Sequence, residues 1–358
     1  MVTPPAARID RRLHGLEKLW PSSGERARAM ASAVRQPVQT AAVWRREDVA
    51  ESAEWTVVLS EAEREEIIVA ACTAVARGDS LHTLQRETFP LAIVESHVGE
   101  WSAALALGRG FLLLRHFPIE HLTAAETELA YVGLGLHLGT PVGQNQAGDT
   151  LTHIRDERLA DIGPSVRLYR TNQRQDFHTD GADLVTLLCL HRARAGGESR
   201  IASAAAVYNE MLRRRPDLVE VLYQPMYWDR HDEQAPGEPP FFQLAPFSDL
   251  GGVPRIFYIG WYIRDAQRHS VVPRLTAEQL EAMELIESIA NDPEFYVSMD
   301  FQPGDVQILN NARILHAREA YLDADDLDQR RHLLRLWLAA RHFTSVEDGL
   351  RVGINTKG

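Results

Sequence analysis

The chain has 358 residues, 45% of them hydrophobic and 25% charged, a net charge of −12 and two cysteines. Such a length accommodates one large catalytic domain with an added N-terminal region, while the acidic balance argues against a sequence-independent grip on nucleic acid, which needs a basic face. No apolar run approaches the ~20 residues of a membrane span, and the basic, polar opening MVTPPAARIDRRLHGLEKLW lacks the apolar centre of a secretory signal, so a cytoplasmic protein acting on a small molecule is expected, with no membrane partner.

In chain order, residues 1 to about 55 show little periodicity and several Pro, Ser and Arg, which reads as an irregular arm or short helices. Ser60-Glu61-Ala62-Glu63 forms a capping box, Ile67, Ile68, Ala71 and Val75 follow on one helical face, and Gly78 supplies a stop. Residues 1–85 are therefore expected to be an N-terminal extension whose helix packs on the core, with 86–358 as the catalytic domain. Cys72 falls within this helical pattern and Cys189 within the apolar run VTLLCL. They give no disulfide framework and no zinc spacing, and both read as small buried hydrophobes. A second helix opens at Thr123 with Glu126 and runs through Leu129 and Val132. A third opens at Thr276 with Gln279 and continues through Leu280, Met283, Ile286 and Ile289.

Short strand-like runs lie between these helices: GFLLLRHF (from 110), SVRLYRT (165–171), VTLLCLH (185–191), RIFYIGWYI (255–263), YVSMDF (296–301), DVQILN (305–310) and HLLRLWLA (332–339). Many short strands without βαβ alternation exclude a doubly wound sheet and predict a mainly β fold, an antiparallel double-sheet barrel with flanking helices. The Pro-rich WDRHDEQAPGEPP (228–240) reads as a long loop over a site.

His178 and Asp180 alternate along an extended run and so can meet one ion, although a lone His-x-Asp is a weak signal. His316 strengthens it, because Pro303-Gly304-Asp305 predicts a turn, DVQILN a strand, Asn310-Asn311 a second turn and RILHAR the returning strand. Two histidines and one carboxylate make the facial triad of non-haem iron(II) oxygenases, which leaves coordination positions open. His231-Asp232-Glu233 is a rival His-x-acid pair, read as solvated loop charges because no strand flanks it. Further along, Arg331, Arg335 and Trp337 share one face of a strand while His332, Leu334 and Leu336 share the other. Two arginines within a β-rich run are costly unless an anion meets them, and a guanidinium fork suits the distal carboxylate of 2-oxoglutarate.

At these residues the sequence resembles the taurine dioxygenase and 2,4-dichlorophenoxyacetate dioxygenase family (TauD/TfdA), relatives of clavaminate synthase. FHTD at 177–180 matches its His-x-Asp, GGES at 196–199 is similar to its Gly-Gly-Asp-Thr segment, ILHAR at 314–318 matches its distal histidine and RRHLLR at 330–335 its closing arginine motif. The resemblance covers roughly residues 90 to 345. It implies a double-stranded β-helix (jelly-roll) core, iron(II), and 2-oxoglutarate consumed with O2 to succinate and carbon dioxide as an unactivated C–H bond is hydroxylated, desaturated or cyclised. Carried over by position, it makes His178, Asp180 and His316 metal ligands. Arg331 pairs with the far carboxylate of 2-oxoglutarate, Ser199 replaces the family's hydroxyl donor to it, and Arg335 contacts the metal-proximal carboxylate. Glu198-Ser199 departs from the usual Asp-Thr, and the first ~85 residues have no counterpart in short family members.

Substrate contacts are expected among Gln144, Asn145, Thr171, Asn172, Arg174, Tyr258 and Trp261, which flank the metal motif or lie on strands expected at the mouth. Arginine near the site leans toward an anionic or amino-acid-like substrate. A homo-oligomer is compatible with the sequence. Two other classes stay open at this point: a non-redox metal protein, either cupin-like or a zinc hydrolase, which needs the triad but not Arg331, and a purely structural or partner-binding protein.

Overall fold

The computed structural model describes residues 35–145, 147–160, 163, 166–234, 236–250, 253–326 and 329–340; residues 1–34 of the expected arm and 341–358 of the expected catalytic domain lie outside the described residues. The sheet strands, numbered here in chain order, are β1 Thr56–Val58, β2 Phe111–Arg115, β3 Gly139–Pro141, β4 Leu151–Ile154, β5 Gln175–His178, β6 Leu184–His191, β7 Ser199–Ser203, β8 Tyr296–Met299, β9 Val306–Asn310, β10 Ile314–Arg318 and β11 His332–Ala340. Among the described residues they form a seven-stranded sheet in the order β1-β2-β9-β6-β11-β3, with β4 also on β11, and a four-stranded sheet in the order β8-β7-β10-β5. Every pairing in the two sheets is antiparallel except β1 with β2.

Period-two alternation builds the layers. Phe111, Leu113, Val185, Leu309 and Leu333 of the larger sheet meet Ile201, Val297, Met299 and Ile314 of the smaller in one buried cluster. The opposite face of the larger sheet, including Leu112, Leu114, Ile308, Leu334 and Leu336, is covered by helices Glu61–Arg77, Ala92–Ala106 and Ala124–Leu138. Ala202, Leu315 and Ala317 of the smaller sheet pack under helices Ala204–Arg214, Pro216–Leu222 and Ala277–Ala290. No helix among the described residues is long and apolar enough to cross a membrane.

All three capping boxes form: Ser60 with Glu63, Thr123 with Glu126 and Thr276 with Gln279, each side chain bonding the other residue's backbone N–H. Gly78 ends the first helix with φ +78°, a left-handed cap. The phase of that helix differs from the expectation. Its buried stripe is Glu63, Ile67, Ala70, Ala71 and Ala74, whereas Val75 is exposed. Cys72 sits on the outer face and is exposed, its thiol donating to Glu126, while Cys189 is buried as expected. Leu280 is likewise exposed, one position off the stripe of Ala282, Met283 and Ile286.

Two strand expectations fail. RIFYIGWYI is strand only to Ile256, and Gly260–Asp265 is a helix; SVRLYRT contains a short 3-10 turn at Leu168–Arg170. A short apolar, aromatic run fits a buried helical turn as well as a strand, and only tertiary packing decides. The expected loop at 228–240 joins the hairpin strands Met226–Asp229 and Phe241–Leu244 and is tied down. Asp229 is fully buried and accepts from Arg268 at 2.7 Å, His269 at 2.9 Å and the His231 backbone N–H at 2.6 Å. His231 is therefore no solvated loop charge. It is buried, its ring centroid 4.0 Å from that of Tyr262 and its Nε2 3.1 Å from Asp265.

Candidate metal centre

Antiparallel pairing of β5 with β10 sets His178 directly opposite His316. Past His178 the chain leaves the sheet, and Thr179 exchanges backbone and hydroxyl hydrogen bonds with Tyr258, which turns Thr179 away and Asp180 back toward the histidines. Asn311 fixes that turn: Asp180 N–H donates to its Oδ1 at 2.7 Å, and its Nδ2 donates to the Asp180 carbonyl at 2.5 Å. Ligand-capable atoms of His178, Asp180 and His316 consequently lie within 4.8 Å of one another, all three residues buried.

The protonation states suit a cation. His178 Nδ1 donates to the Asp176 carbonyl at 2.8 Å, which orients Nε2 toward Asp180, 3.8 Å away; His316 Nε2 stands 3.6 Å from the other Asp180 oxygen. Burial, aided by the facing His316, pulls the His178 imidazole down to about 3, so it is neutral at physiological pH. Burial pushes the Asp180 carboxyl up, but Arg335, His316 and His178 outweigh it and hold the group far below the usual carboxylate range. Neutral imidazole nitrogen beside an ionised carboxylate, buried together, is the donor set of a divalent transition metal.

The carboxylate is itself held. Arg335 Nη1 donates to Asp180 Oδ2 at 3.3 Å and the Trp337 indole N–H donates to the same oxygen at 3.0 Å. Arg335 in turn donates Nε to Gln144 Oε1 at 2.7 Å, and Gln144 Nε2 returns to the Arg335 carbonyl at 2.8 Å. These second contacts orient a ligand and tune its basicity.

From the triad a cavity runs between the sheets, walled by Ile154, Val185, Leu187 and Leu333 and ending at Ser199, Arg318 and Arg331. Arg331 is 4% exposed, and Arg318 6%. Arg331 Nη2 donates to the Gly197 carbonyl at 3.4 Å, and among the described residues its Nη1 is buried without a partner. Gly197 has φ +79°, and a Cβ there would stand 3.0 Å from Arg331 Nε, so the glycine both makes the turn and clears space for the guanidinium. Arg318 Nε and Nη1 and the Tyr321 hydroxyl are also buried and unpartnered, and among the described residues no carboxylate pairs with either arginine. Burial holds Arg331 below its ordinary value, and burial with the facing Arg331 brings Arg318 down to about 10. A buried polar pocket with two unneutralised cations fits an anion such as a carboxylate.

None of the seven residues expected to touch substrate is among those that line this cavity. Trp261 lies edge-on to the His178 ring, centroids 5.0 Å apart, and Gln144 serves the site through Arg335. The other five are engaged elsewhere. Asn145 pairs with Asp149, Thr171 bonds the Leu168 carbonyl, and Asn172 is exposed with its carbonyl on Tyr321 N–H. Arg174 is exposed and engages Asp176 and Asn291, while Tyr258 is buried with its hydroxyl on Glu287. Sequence reasoning missed Asn311, Trp337 as a donor, and Arg318. Arg318 carries a signal as a charge two residues beyond His316 on the same strand face, and Trp337 as a residue on the face of Arg331 and Arg335.

Residues 77–337 match the family described as taurine catabolism dioxygenase TauD, TfdA family. The chain is 37% identical to FR-33289 synthase of Streptomyces rubellomurinus, covering 89% of this chain and 94% of that protein. It is 31% identical to the taurine hydroxylase-like protein SAT17 of Stachybotrys chartarum, over 79% and 74% of the two chains. In fold it is similar to asparagine oxygenase solved with Fe(II), 2S,3S-3-hydroxyasparagine and succinate, with a TM-score of 0.61, 15% identity and coverage of 80% of this chain and 94% of that one.

Proposed function

The chain belongs to the TauD/TfdA dioxygenase family and is an iron(II)- and 2-oxoglutarate-dependent oxygenase of a small molecule with a jelly-roll core, and on that premise we propose the residues that carry the reaction and the class of substrate. His178, Asp180 and His316 hold the iron, Arg331 and Ser199 hold the distal carboxylate of 2-oxoglutarate, and Arg335 lies by the metal-proximal carboxylate. The observation that carries this reading is the buried His-Asp-His cluster joined by one cavity to an arginine without a carboxylate partner among the described residues. A zinc hydrolase or a cupin-like binding protein has no use for that arginine.

Bound iron and 2-oxoglutarate supply dioxygen activation, with succinate and carbon dioxide as co-products. The protein positions and shields. His178 presents Nε2 because Nδ1 is committed to the Asp176 carbonyl, and Asp180 stays ionised under Arg335 and Trp337. The apolar walls at Val185, Leu187 and Leu333 exclude water. Trp261, against the edge of His178, is the aromatic ring beside the metal ligands against which a substrate C–H bond would be oriented.

The substrate is an anionic or amino-acid-like small molecule. Arg335 at the triad supports this, as do the names of the relatives, one taurine hydroxylase-like and one an asparagine oxygenase. Residues 1–85 form an N-terminal extension on the oxygenase domain 86–358; within it, the helix Glu61–Arg77 shares the core of helix Ala124–Leu138. The test is succinate release by the anaerobically iron-loaded protein on admission of air, against a panel of amino acids, sulfonates and phosphorylated small molecules, with products read by mass spectrometry. Product gaining one oxygen or losing two hydrogens in step with succinate is expected. Acceleration by neutral, non-amino-acid compounds alone overturns the substrate reading.

A further inference from the structure

Resting on the co-substrate reading above, we propose that Arg318 is a second clamp for the distal carboxylate of 2-oxoglutarate, so that this group is held between two guanidinium groups rather than by Arg331 alone. Arg318 follows His316 by two residues on β10, which directs both side chains to the same face of the strand. Its cross-strand partner on β7 is Ser199, which lines the same end of the cavity and whose hydroxyl donates to Gln307 Oε1 at 3.2 Å. Arg331 is the residue just before β11 of the opposite sheet. The two guanidinium carbons flank one aromatic ring, 5.1 and 5.0 Å from the Tyr321 centroid.

Both arginines keep donors in reserve. Arg318 spends Nη2 on the carbonyls of Leu168 and Gln173, and Arg331 spends Nη2 on that of Gly197. Among the described residues, Nε and Nη1 of Arg318, Nη1 of Arg331 and the Tyr321 hydroxyl have no partner although all are buried. Two like charges out of water with donors to spare is an arrangement that an anion stabilises and that nothing else among the described residues neutralises. A carboxylate offers two oxygens and about four acceptor sites, enough for both forks and a hydroxyl. One arginine would satisfy such a group in part; the second makes the pocket's preference for a dicarboxylate steeper.

The experiment compares 2-oxoglutarate with 2-oxopentanoate, which keeps the chelating 2-oxo acid and lacks only the distal carboxylate. Binding is read anaerobically, without turnover, from the visible charge-transfer absorption that a 2-oxo acid gives on chelating iron(II). Arg318→Gln is expected to weaken 2-oxoglutarate roughly ten- to a hundredfold, the scale of hydrogen bonds to a charged group, and to leave 2-oxopentanoate unchanged. Arg318→Lys, which keeps the charge and loses the fork, is expected to fall between and decides the matter by the same ratio if the glutamine variant does not fold. Equal weakening of both ligands, or of neither, assigns Arg318 to holding the Leu168 and Gln173 carbonyls and overturns the proposal. Absence of the absorption with 2-oxoglutarate in the unmodified protein sinks the co-substrate reading itself, a different failure.

Discussion

Trp337 donates its indole N–H to Asp180 Oδ2 at 3.0 Å, so the carboxylate at the centre of the triad is oriented by an aromatic residue from the facing sheet. Trp337→Phe keeps the ring and removes the donor. It is expected to lower iron affinity roughly ten- to a hundredfold, the usual loss for a partner of a metal ligand, with the melting temperature little changed. Iron titration by anaerobic calorimetry checks this, and an unaltered affinity would show that Arg335 alone suffices.

Replacing His316 by Ala removes one of three ligand-capable side chains and leaves a cavity facing His178. Oxygenase activity is expected to fall to background and most iron to be lost on gel filtration. Full iron occupancy with normal turnover would falsify the triad assignment.

Arg331→Ala is expected to raise the 2-oxoglutarate requirement far more than the substrate requirement, because a buried charge-assisted pair broken at one partner costs about 3–5 kcal/mol. Arg335→Ala acts differently, since its guanidinium touches Asp180 and Gln144. There the expected loss is in iron binding and kcat. A reversal of the two patterns in steady-state kinetics means that the arginines are assigned the wrong way round.

The metal-free protein is expected to lose stability as pH falls from about 6.5 toward 4. Burial, with help from His153, holds His332 down at about 4, and burial with His316 holds His178 at about 3. Unfolded imidazoles titrate near ~6.5, so over this window the unfolded chain binds protons that the folded one refuses, and stability present at higher pH is lost on acidification. Melting temperatures across the window measure the slope. His332→Asn should flatten it, and an identical slope in that variant removes His332 from the account.

Locally encoded features were legible in the sequence. Ser60, Thr123 and Thr276 announced their helices because a cap is a contact across three residues, and the alternation of Arg331, Arg335 and Trp337 against His332 and Leu334 gave the two faces of a strand. Helix phase is not legible at Val75 and Leu280, because apolar spacing of three and four allows neighbouring stripes, and burial picks one. Trp261 was legible as a residue of interest but not as part of a helix, since the run around it carries no period long enough to decide. Asn311 reads as a turn residue, and it is one; that its amide also grips Asp180, 131 positions away, belongs to the tertiary fold. Arg318 stands in plain view beside His316, yet its surroundings come from Tyr321 and from Arg331 at the start of a strand in the other sheet.

The two-sided strand β11 also limits how this protein can diverge. Arg335 and Trp337 face the triad while Leu334, Leu336 and Leu338 are embedded in the helix-covered core, so side and residue parity are locked together. Point substitutions along it alter one function at a time. Deleting or inserting a single residue between Arg331 and Trp337 would instead exchange the faces downstream, sending guanidinium and indole into the apolar layer and leucines toward Asp180. Lineages of this chain can therefore drift in side-chain chemistry here but not in length, and every change in spacing must fall outside the strand.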